Sequence, residues 1–282
     1  MSKIVFITGI SSGIGYHFAD FLNKNQYRVF GSVRSSQDVE RIEQELEGVR
    51  AVLMDVSDPN SIQNGVEQLA GLLSGKNVDV LINNAGIVEP GPLFYLPYEK
   101  MKRQLDVNVL GMVAVTNAVY PLLTKSVARI INIGSISGIF ASPFTGAYSA
   151  SKYAVEGLTD SLRREAAILG IKVVLFQPGP IKTPIWGKGL NSVLQFSGTA
   201  YDQFLDRANE IIRLTEETAL DPSAFDKVLL HAIESPSPKN RYLIHKHPFL
   251  FRIVAYVIPS KWVDYLIAKN LVSTKSKIRP LS

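Results

Sequence analysis

Through the first 180 residues, short runs of aliphatic and β-branched residues alternate with longer stretches whose apolar positions return every three or four residues. The first kind reads as strands: Ile4 to Ile7, Arg28 to Val33, Val49 to Met54, Val78 to Ile82, Arg129 to Ile133 and Lys172 to Phe176. The second reads as helices over Ile14 to Asn25, Asp38 to Leu46, Pro59 to Leu73, Tyr98 to Leu123 and Tyr148 to Leu169. Phe18, Phe21 and Leu22 give the first helix an apolar face, and Asp58 caps the third, with Pro59 in its first turn. The strands are apolar almost throughout, which requires a sheet covered on both faces. Strand–helix alternation with right-handed crossovers then predicts a doubly wound parallel α/β sheet.

The rhythm changes after Pro180. Residues 181–220 hold Pro184, Gly187, Gly189 and Gly198 before a helical stretch from about Thr199. A connection of that length in a compact domain predicts a lid or binding loop. Ala224 to Ile233 reads as a helix and Arg241 to Ile244 as a last strand, after which His247 to Leu271 forms two apolar helical segments split at Pro259. The expected organisation is one domain over residues 1–246, with its lid at 181–220, and a helical tail over 247–282.

Composition narrows the chemistry more than the fold. The chain has 282 residues, 46% hydrophobic and 20% charged, which suits one large domain with an appendage. The net charge of +5 reads as mild and spread along the chain, as on ordinary solvated helix faces, and it also suits an anionic cofactor. No nucleic-acid motif is present. The absence of cysteine excludes disulfides, thiolate catalysis and cysteine-based metal sites. His245 and His247 form an H-x-H pair without a neighbouring carboxylate, so no metal site is expected. The apolar start, Lys3 to Thr8, runs straight into a glycine-rich turn and reads as a first strand. No run of about 18 apolar residues suggests a spanning helix, and a cytoplasmic location is expected, with the tail leaving membrane association open.

That glycine-rich turn is Thr8-Gly9-Ile10-Ser11-Ser12-Gly13-Ile14-Gly15, between the first strand and the first helix. Its glycines let the backbone turn sharply and approach a pyrophosphate, while the helix start offers free N–H groups and a positive dipole end. Three further blocks follow in order: Asn83-Asn84-Ala85-Gly86, Tyr148-Ser149-Ala150-Ser151-Lys152, and Pro178-Gly179. With them the chain, over about residues 3–245, resembles the short-chain dehydrogenase/reductase family. The resemblance implies a Rossmann-type dinucleotide-binding catalytic domain. All four blocks fall at the carboxyl ends of predicted strands or in helices starting there, where an open α/β sheet binds its ligand.

Tyr148 and Lys152 lie four residues apart on a predicted helix and therefore share one face. A tyrosine is a poor base at neutral pH, and a nearby ammonium is expected to lower its pKa. Tyr148 then exchanges a proton with a substrate hydroxyl or carbonyl oxygen. Ser135, just after the fifth strand, can hold that oxygen, with Ser137 as a rival. The resemblance adds Asn108, in a water-mediated relay with Lys152, and completes a tetrad of Asn108, Ser135, Tyr148 and Lys152. It also implies that Lys152 bonds the nicotinamide ribose.

The second strand ends in Val33-Arg34, with Val33 where NAD-preferring relatives carry Asp. With an arginine to accommodate a 2′-phosphate, and Ser11 and Ser12 close by, NADP(H) is favoured over NAD(H); the alternative is an Arg34 that only caps a surface loop. By the resemblance, Asp55-Val56 meets the adenine, Asn83, Ala85 and Gly86 line the cofactor, and Thr183 meets the carboxamide.

The substrate-determining segments are Glu89 to Tyr98, Gly138 to Ala147 and the lid after Thr183. They carry Phe94, Tyr95, Leu96, Phe140, Phe144, Ile185, Trp186 and Phe196, so an apolar pocket is expected. The chain looks most like the branch with 17β-hydroxysteroid and retinol dehydrogenases, which implies a lipophilic steroid-, retinoid- or acyl-like alcohol and its ketone or aldehyde. The family also implies a homo-oligomer built on the two long helices. The tail suits a membrane surface, a cover over the substrate mouth, or packing on the domain or a partner subunit. A different class of function, a nicotinamide-sensing binding protein on the same fold, is disfavoured because Tyr148 and Lys152 are both kept. An isomerase or dehydratase is a weaker enzymatic alternative.

Overall fold

The computed structural model describes residues 2–124, 127–184 and 195–271. Seven parallel strands form one sheet: β1 (Ile4–Ile7), β2 (Arg28–Val33), β3 (Arg50–Leu53), β4 (Val80–Asn83), β5 (Arg129–Ile133), β6 (Lys172–Pro178) and β7 (Arg241–Ile244). Their order is β3-β2-β1-β4-β5-β6-β7, so the chain reverses direction across the sheet between β1 and β4. The register runs Val5 to Val29 on one side and Val5 to Val80 on the other. That reversal opens a crevice at the strands' carboxyl ends.

Both faces of the sheet are buried, which is why the strands lack a polar alternation. Val5, Ile7, Val29 and Phe176 join one core with Phe18, Leu22 and Phe225. Ile4, Phe6, Phe30 and Ile130 join the other with Leu69, Val115 and Leu123. The first face is covered by α1 (Gly13–Lys24), α2 (Ser36–Glu45) and α8 (Asp226–Glu234). The second is covered by α3 (Pro59–Leu73), α5 (Gly111–Val119) and the end of α6 (Gly146–Ala167). Local sequence sets the helix starts. Ser35 accepts from Asp38 N at 3.1 Å to open α2, and Asp58 accepts from Asn60 N at 3.0 Å to open α3.

The predicted helix over Tyr98 to Leu123 is a composite. It begins as α4 (Tyr98–Leu105), widens into a π turn over Asp106–Leu110, continues as α5 and tightens into a 3₁₀ turn at Tyr120–Leu122. The run Tyr98–Leu122 is long and apolar enough to cross a membrane by length and composition, although no uninterrupted apolar stretch marks it in the sequence. It packs within the domain, α5 on α3 and β4, and α4 on α6.

After β6, α7 (Asp202–Glu217) contributes Leu205 and Ala208 to a small separate core with Phe196, against which Phe144 and Tyr201 pack. Ile185 and Trp186 lie outside the described residues. The tail forms α9 (Pro248–Tyr256) and α10 (Ser260–Leu271), and neither contains a buried residue.

Candidate active site

The glycine-rich turn is bound to the turn after β4. Thr8 Oγ1 accepts from the backbone N of Asn84 and of Ala85, each at 3.0 Å. Asn84 Nδ2 donates in return to the Thr8 and Gly9 carbonyls, at 2.9 and 3.0 Å. Gly9 (φ +72°) and Gly13 (φ +62°) occupy the left-handed region. A Cβ on Gly9 would approach Ala85 Cα to 3.0 Å, and one on Gly15 would stand 2.2 Å from the Gly9 carbonyl oxygen. Helix α1 then starts without a side-chain cap and without an acid in its first turn. Its positive end is left for an anion.

From this turn a cavity of about 410 Å³ runs along the carboxyl ends of the strands to Tyr148 and Lys152. Of the residues singled out in the sequence, Gly9, Ser11, Ser12, Gly13, Ile14, Arg34, Asp55, Val56, Ala85, Gly86, Pro178 and Thr183 line it. Five predicted residues are not in its wall: Ser135, which sits beside Tyr148 at the cavity's end, and four others. Gly15 packs on the turn itself. The Asn83 amide points into the sheet, donating to Thr116 Oγ1 and Asn132 Oδ1 at 2.9 Å each. Gly179 lies against β7, where a Cβ would meet His245 Cδ2 at 2.6 Å. Asn108 stands behind Ile87. Conversely, Ser32, Asn84 and Ile87 line the cavity without having been singled out. Asn84 adjoins a residue that was, and Ser32 could have been found only from its pairing with the turn, where its carbonyl accepts from Gly9 N and Ile10 N.

At the cavity's end, Lys152 Nζ lies 5.6 Å from the Tyr148 ring centroid and donates to the Ile133 carbonyl at 2.8 Å. Ser135 Oγ reaches Tyr148 by a hydrogen bond and accepts from Ser137 N at 3.0 Å. Ser135, not its rival Ser137, therefore meets the phenol. Glu156, one turn beyond Lys152, anchors α6 by accepting from Gln177 of β6 at 2.7 Å and Arg241 of β7 at 3.0 Å.

Asn108 sits in the π turn, almost wholly buried. Its Oδ1 accepts from Ile87 N at 2.8 Å, and its Nδ2 donates to the Ile87 carbonyl at 3.0 Å and to Ser151 Oγ at 3.1 Å. Ser151 Oγ donates to the Tyr148 carbonyl at 2.7 Å. Asn108 thus joins the tetrad through Ser151. Gln104, fully buried on α4, supports the same loop through the Ile87 carbonyl and Glu89 N, each at 2.8 Å.

The electrostatics differ from the expectation at Tyr148. Burial raises its pKa above the ordinary phenol value, and the Ser135 hydrogen bond only partly offsets this. The phenol is half-buried in the cavity wall, and the ammonium that was expected to lower its pKa is aimed at Ile133 instead. Burial also lowers Lys152, to about 8. At the other end, burial raises Asp55, but hydrogen bonds from Ser57, helped by Arg34 and Arg103, hold it below the usual carboxylate range. Val33 is buried and Arg34 exposed, and Arg41 ties the turn to α2 by donating to the Ser11 carbonyl at 2.8 Å and Asp38 at 2.7 Å.

These residues fit a dinucleotide: glycines where a pyrophosphate needs close backbone approach, an uncapped helix start, a cation beside the second strand and a tyrosine–lysine pair at the far end. Among the described residues, no cluster of three or more His, Cys, Asp or Glu side chains could hold a metal.

Comparison with known proteins agrees with this geometry. The family model described as short chain dehydrogenase matches residues 3–192. The chain is similar to the NADPH-dependent 3-dehydrocapnine reductase of Ornithobacterium rhinotracheale, 34% identical over 276 residues that cover 95% of this chain and 97% of the relative. It is also similar to retinol dehydrogenase 16 of Mus musculus, 30% identical over 94% of this chain and 87% of the relative. Among solved structures, the actinorhodin polyketide ketoreductase with NADPH superposes with a TM-score of 0.71 at 26% identity, covering 86% of this chain and 95% of that one. A short-chain dehydrogenase from Streptomyces avermitilis shares the fold, with a TM-score of 0.74 at 23% identity over 95% of this chain and 94% of that one.

Proposed function

The chain belongs to the short chain dehydrogenase family and is a nicotinamide-dependent oxidoreductase acting on CH–OH groups; we propose that it is an NADP(H)-dependent reductase of lipophilic ketones or aldehydes with Tyr148 as proton donor. The observation that carries this reading is the placement of Tyr148 and Lys152 in the wall of a cavity that begins at the glycine turn, with Ser135 beside the phenol.

A bound dihydronicotinamide supplies the hydride for such a reduction. The protein's own groups handle the proton. Because burial raises the Tyr148 pKa, the phenol keeps its proton at neutral pH and can donate it to a carbonyl oxygen gaining negative charge. Ser135 holds that oxygen beside the phenol. Lys152, mostly charged at neutral pH, is held one turn from Tyr148 by its bond to the Ile133 carbonyl. Asn108, Ser151 and Gln104 position the loop and helix that carry these groups.

Preference for NADP(H) is supported by the end of β2, where Val33 rather than an acidic residue is followed by Arg34. The names of the reductase and ketoreductase relatives point the same way. A lipophilic substrate is supported by an aromatic cluster on the predicted substrate-determining segments: Tyr95 and Phe144 pack edge-on against Tyr201, with centroids 5.9 and 5.6 Å apart. A homo-oligomer through α4–α5 and α6, a domain limit near residue 246 and a cytoplasmic site of action complete the reading.

The test is consumption of NADPH and of NADH across a panel of lipophilic ketones. Turnover with NADPH is expected, and Arg34→Glu should weaken NADPH use by about tenfold or more while sparing NADH. No turnover with any ketone, or an Arg34→Glu variant with unchanged preference, would contradict the reading.

A further inference from the structure

The charge excess is not spread along the chain. Residues 247–282 carry six cations, Arg252, Lys261, Lys269, Lys275, Lys277 and Arg279, against the single Asp264. The whole excess of five therefore resides there, and residues 1–246, with 24 charges of each sign, are neutral. Apolar exposure concentrates in the same place. Phe249, Leu250, Tyr256, Val257, Trp262, Tyr265 and Leu266 are all exposed, Phe249 at 78% and Trp262 at 70%. On α10 the spacing is regular: Val263, Ile267 and Leu271 turn inward, while Trp262, Tyr265, Leu266 and Lys269 share the outer face. A helix pair with aromatic and aliphatic side chains outward and lysines among them matches the chemistry of an anionic lipid–water interface.

The tail also packs against the segment that follows Ser135 and against α7. Phe251 of α9 packs against Phe140, on the segment after Ser135, with centroids 6.0 Å apart, and against His245 at 5.1 Å. Asn270 of α10 accepts at its carbonyl from Arg207 Nε of α7 at 3.1 Å. Leu93 and Phe94, in the loop before α4, and Tyr98, at its start, are exposed, Phe94 at 89%. That loop is tied to the segment after Ser135 by a hydrogen bond from Gly91 N to the Phe144 carbonyl at 2.7 Å.

We propose that the outer face of α9 and α10 is a docking surface for an anionic membrane, seating the pocket's rim on the bilayer. A second copy of the chain is a poorer occupant, because a two-fold contact through this face would set Arg252, Lys261 and Lys269, offset only by Asp264, against their own copies. Docking stands independently of the reductase activity. Delivery of a lipid-borne ketone across this contact rests on that activity.

The test is flotation of the full chain with vesicles of phosphatidylcholine alone and of phosphatidylcholine with phosphatidylglycerol. The chain should float with the anionic vesicles and remain behind with the neutral ones. Lys261→Glu with Lys269→Glu should weaken binding at least about tenfold, since each cation near such a surface contributes about fivefold. Trp262→Glu with Leu266→Glu should abolish flotation while leaving NADPH binding and turnover of a water-soluble ketone intact, which shows that the variant is folded. Equal flotation with both vesicles, absence of flotation, or variants that float like the original would overturn the proposal. So would loss of a concentration-dependent dimer in the Trp262→Glu, Leu266→Glu chain, since that outcome assigns the face to a second copy.

Discussion

Burying the Lys152 ammonium lowers its pKa from 10.5 to about 8, and this has a consequence for stability. Below about pH 8 the amine is charged in both folded and unfolded chains, and the fold bears the full cost of holding that charge in its interior. Between that point and the ordinary lysine value, only the unfolded chain holds the proton, so this contribution makes the protein more stable as pH rises. Lys152→Met should therefore raise stability at about pH 7 by up to roughly 3 kcal/mol, less about 1 kcal/mol for the lost bond to Ile133, and inactivate the site. Urea midpoints of both chains at about pH 7 and about pH 9.5 check this. A gain that stays constant or grows with pH would contradict it. The Tyr148–Lys152 pair was legible from spacing, because one helical turn fixes which residues share a face. The direction of the phenol's pKa was not legible, because it depends on the ammonium's aim toward Ile133 and on depth in the cavity. Asn83 and Asn84 show the same limit: adjacent residues on one strand end face opposite ways, and only the bonds to Thr116 and to Thr8 decide which one sees the cavity.

The sheet and most helices followed from periodicity, since parallel strands buried on both faces leave a strong apolar signal. The π turn at Asp106–Leu110 left none, because one extra residue in a helical turn barely disturbs the spacing of apolar positions. Its physical sense lies in Asn108, whose amide satisfies both backbone groups of Ile87 and so fixes the loop after β4. Asn108→Ala leaves those groups and Ser151 without their partner and should cost about 1–3 kcal/mol. It should also lower kcat more than it raises KM, as the positioning of Tyr148 loosens. Denaturant unfolding with steady-state kinetics checks both effects. Unchanged stability, or a change confined to KM, would mean that the turn does not hold the catalytic helix.

Over the whole molecule, residues 1–246 are neutral and the charge excess lies in the tail after β7. Total charge conceals this division, and a chain-wide reading of +5 as diffuse misses it. The switch of strand order between β1 and β4 gathers the glycine turn, the β2 end and the tyrosine helix at one crevice, although Gly9 and Lys152 are far apart in sequence. That gathering was legible as four ordered motifs at predicted strand ends. The path by which substrate reaches it depends on how the tail and rim pack.

In the proposed carbonyl reduction Tyr148 is the proton donor. NADPH-dependent turnover of a lipophilic ketone, compared between the original chain and Tyr148→Phe with cofactor binding measured in both, tests it most directly. The substitution should keep NADPH binding and lower kcat by about a hundredfold or more. A Tyr148→Phe chain that binds NADPH and turns the ketone over at the original rate would contradict it.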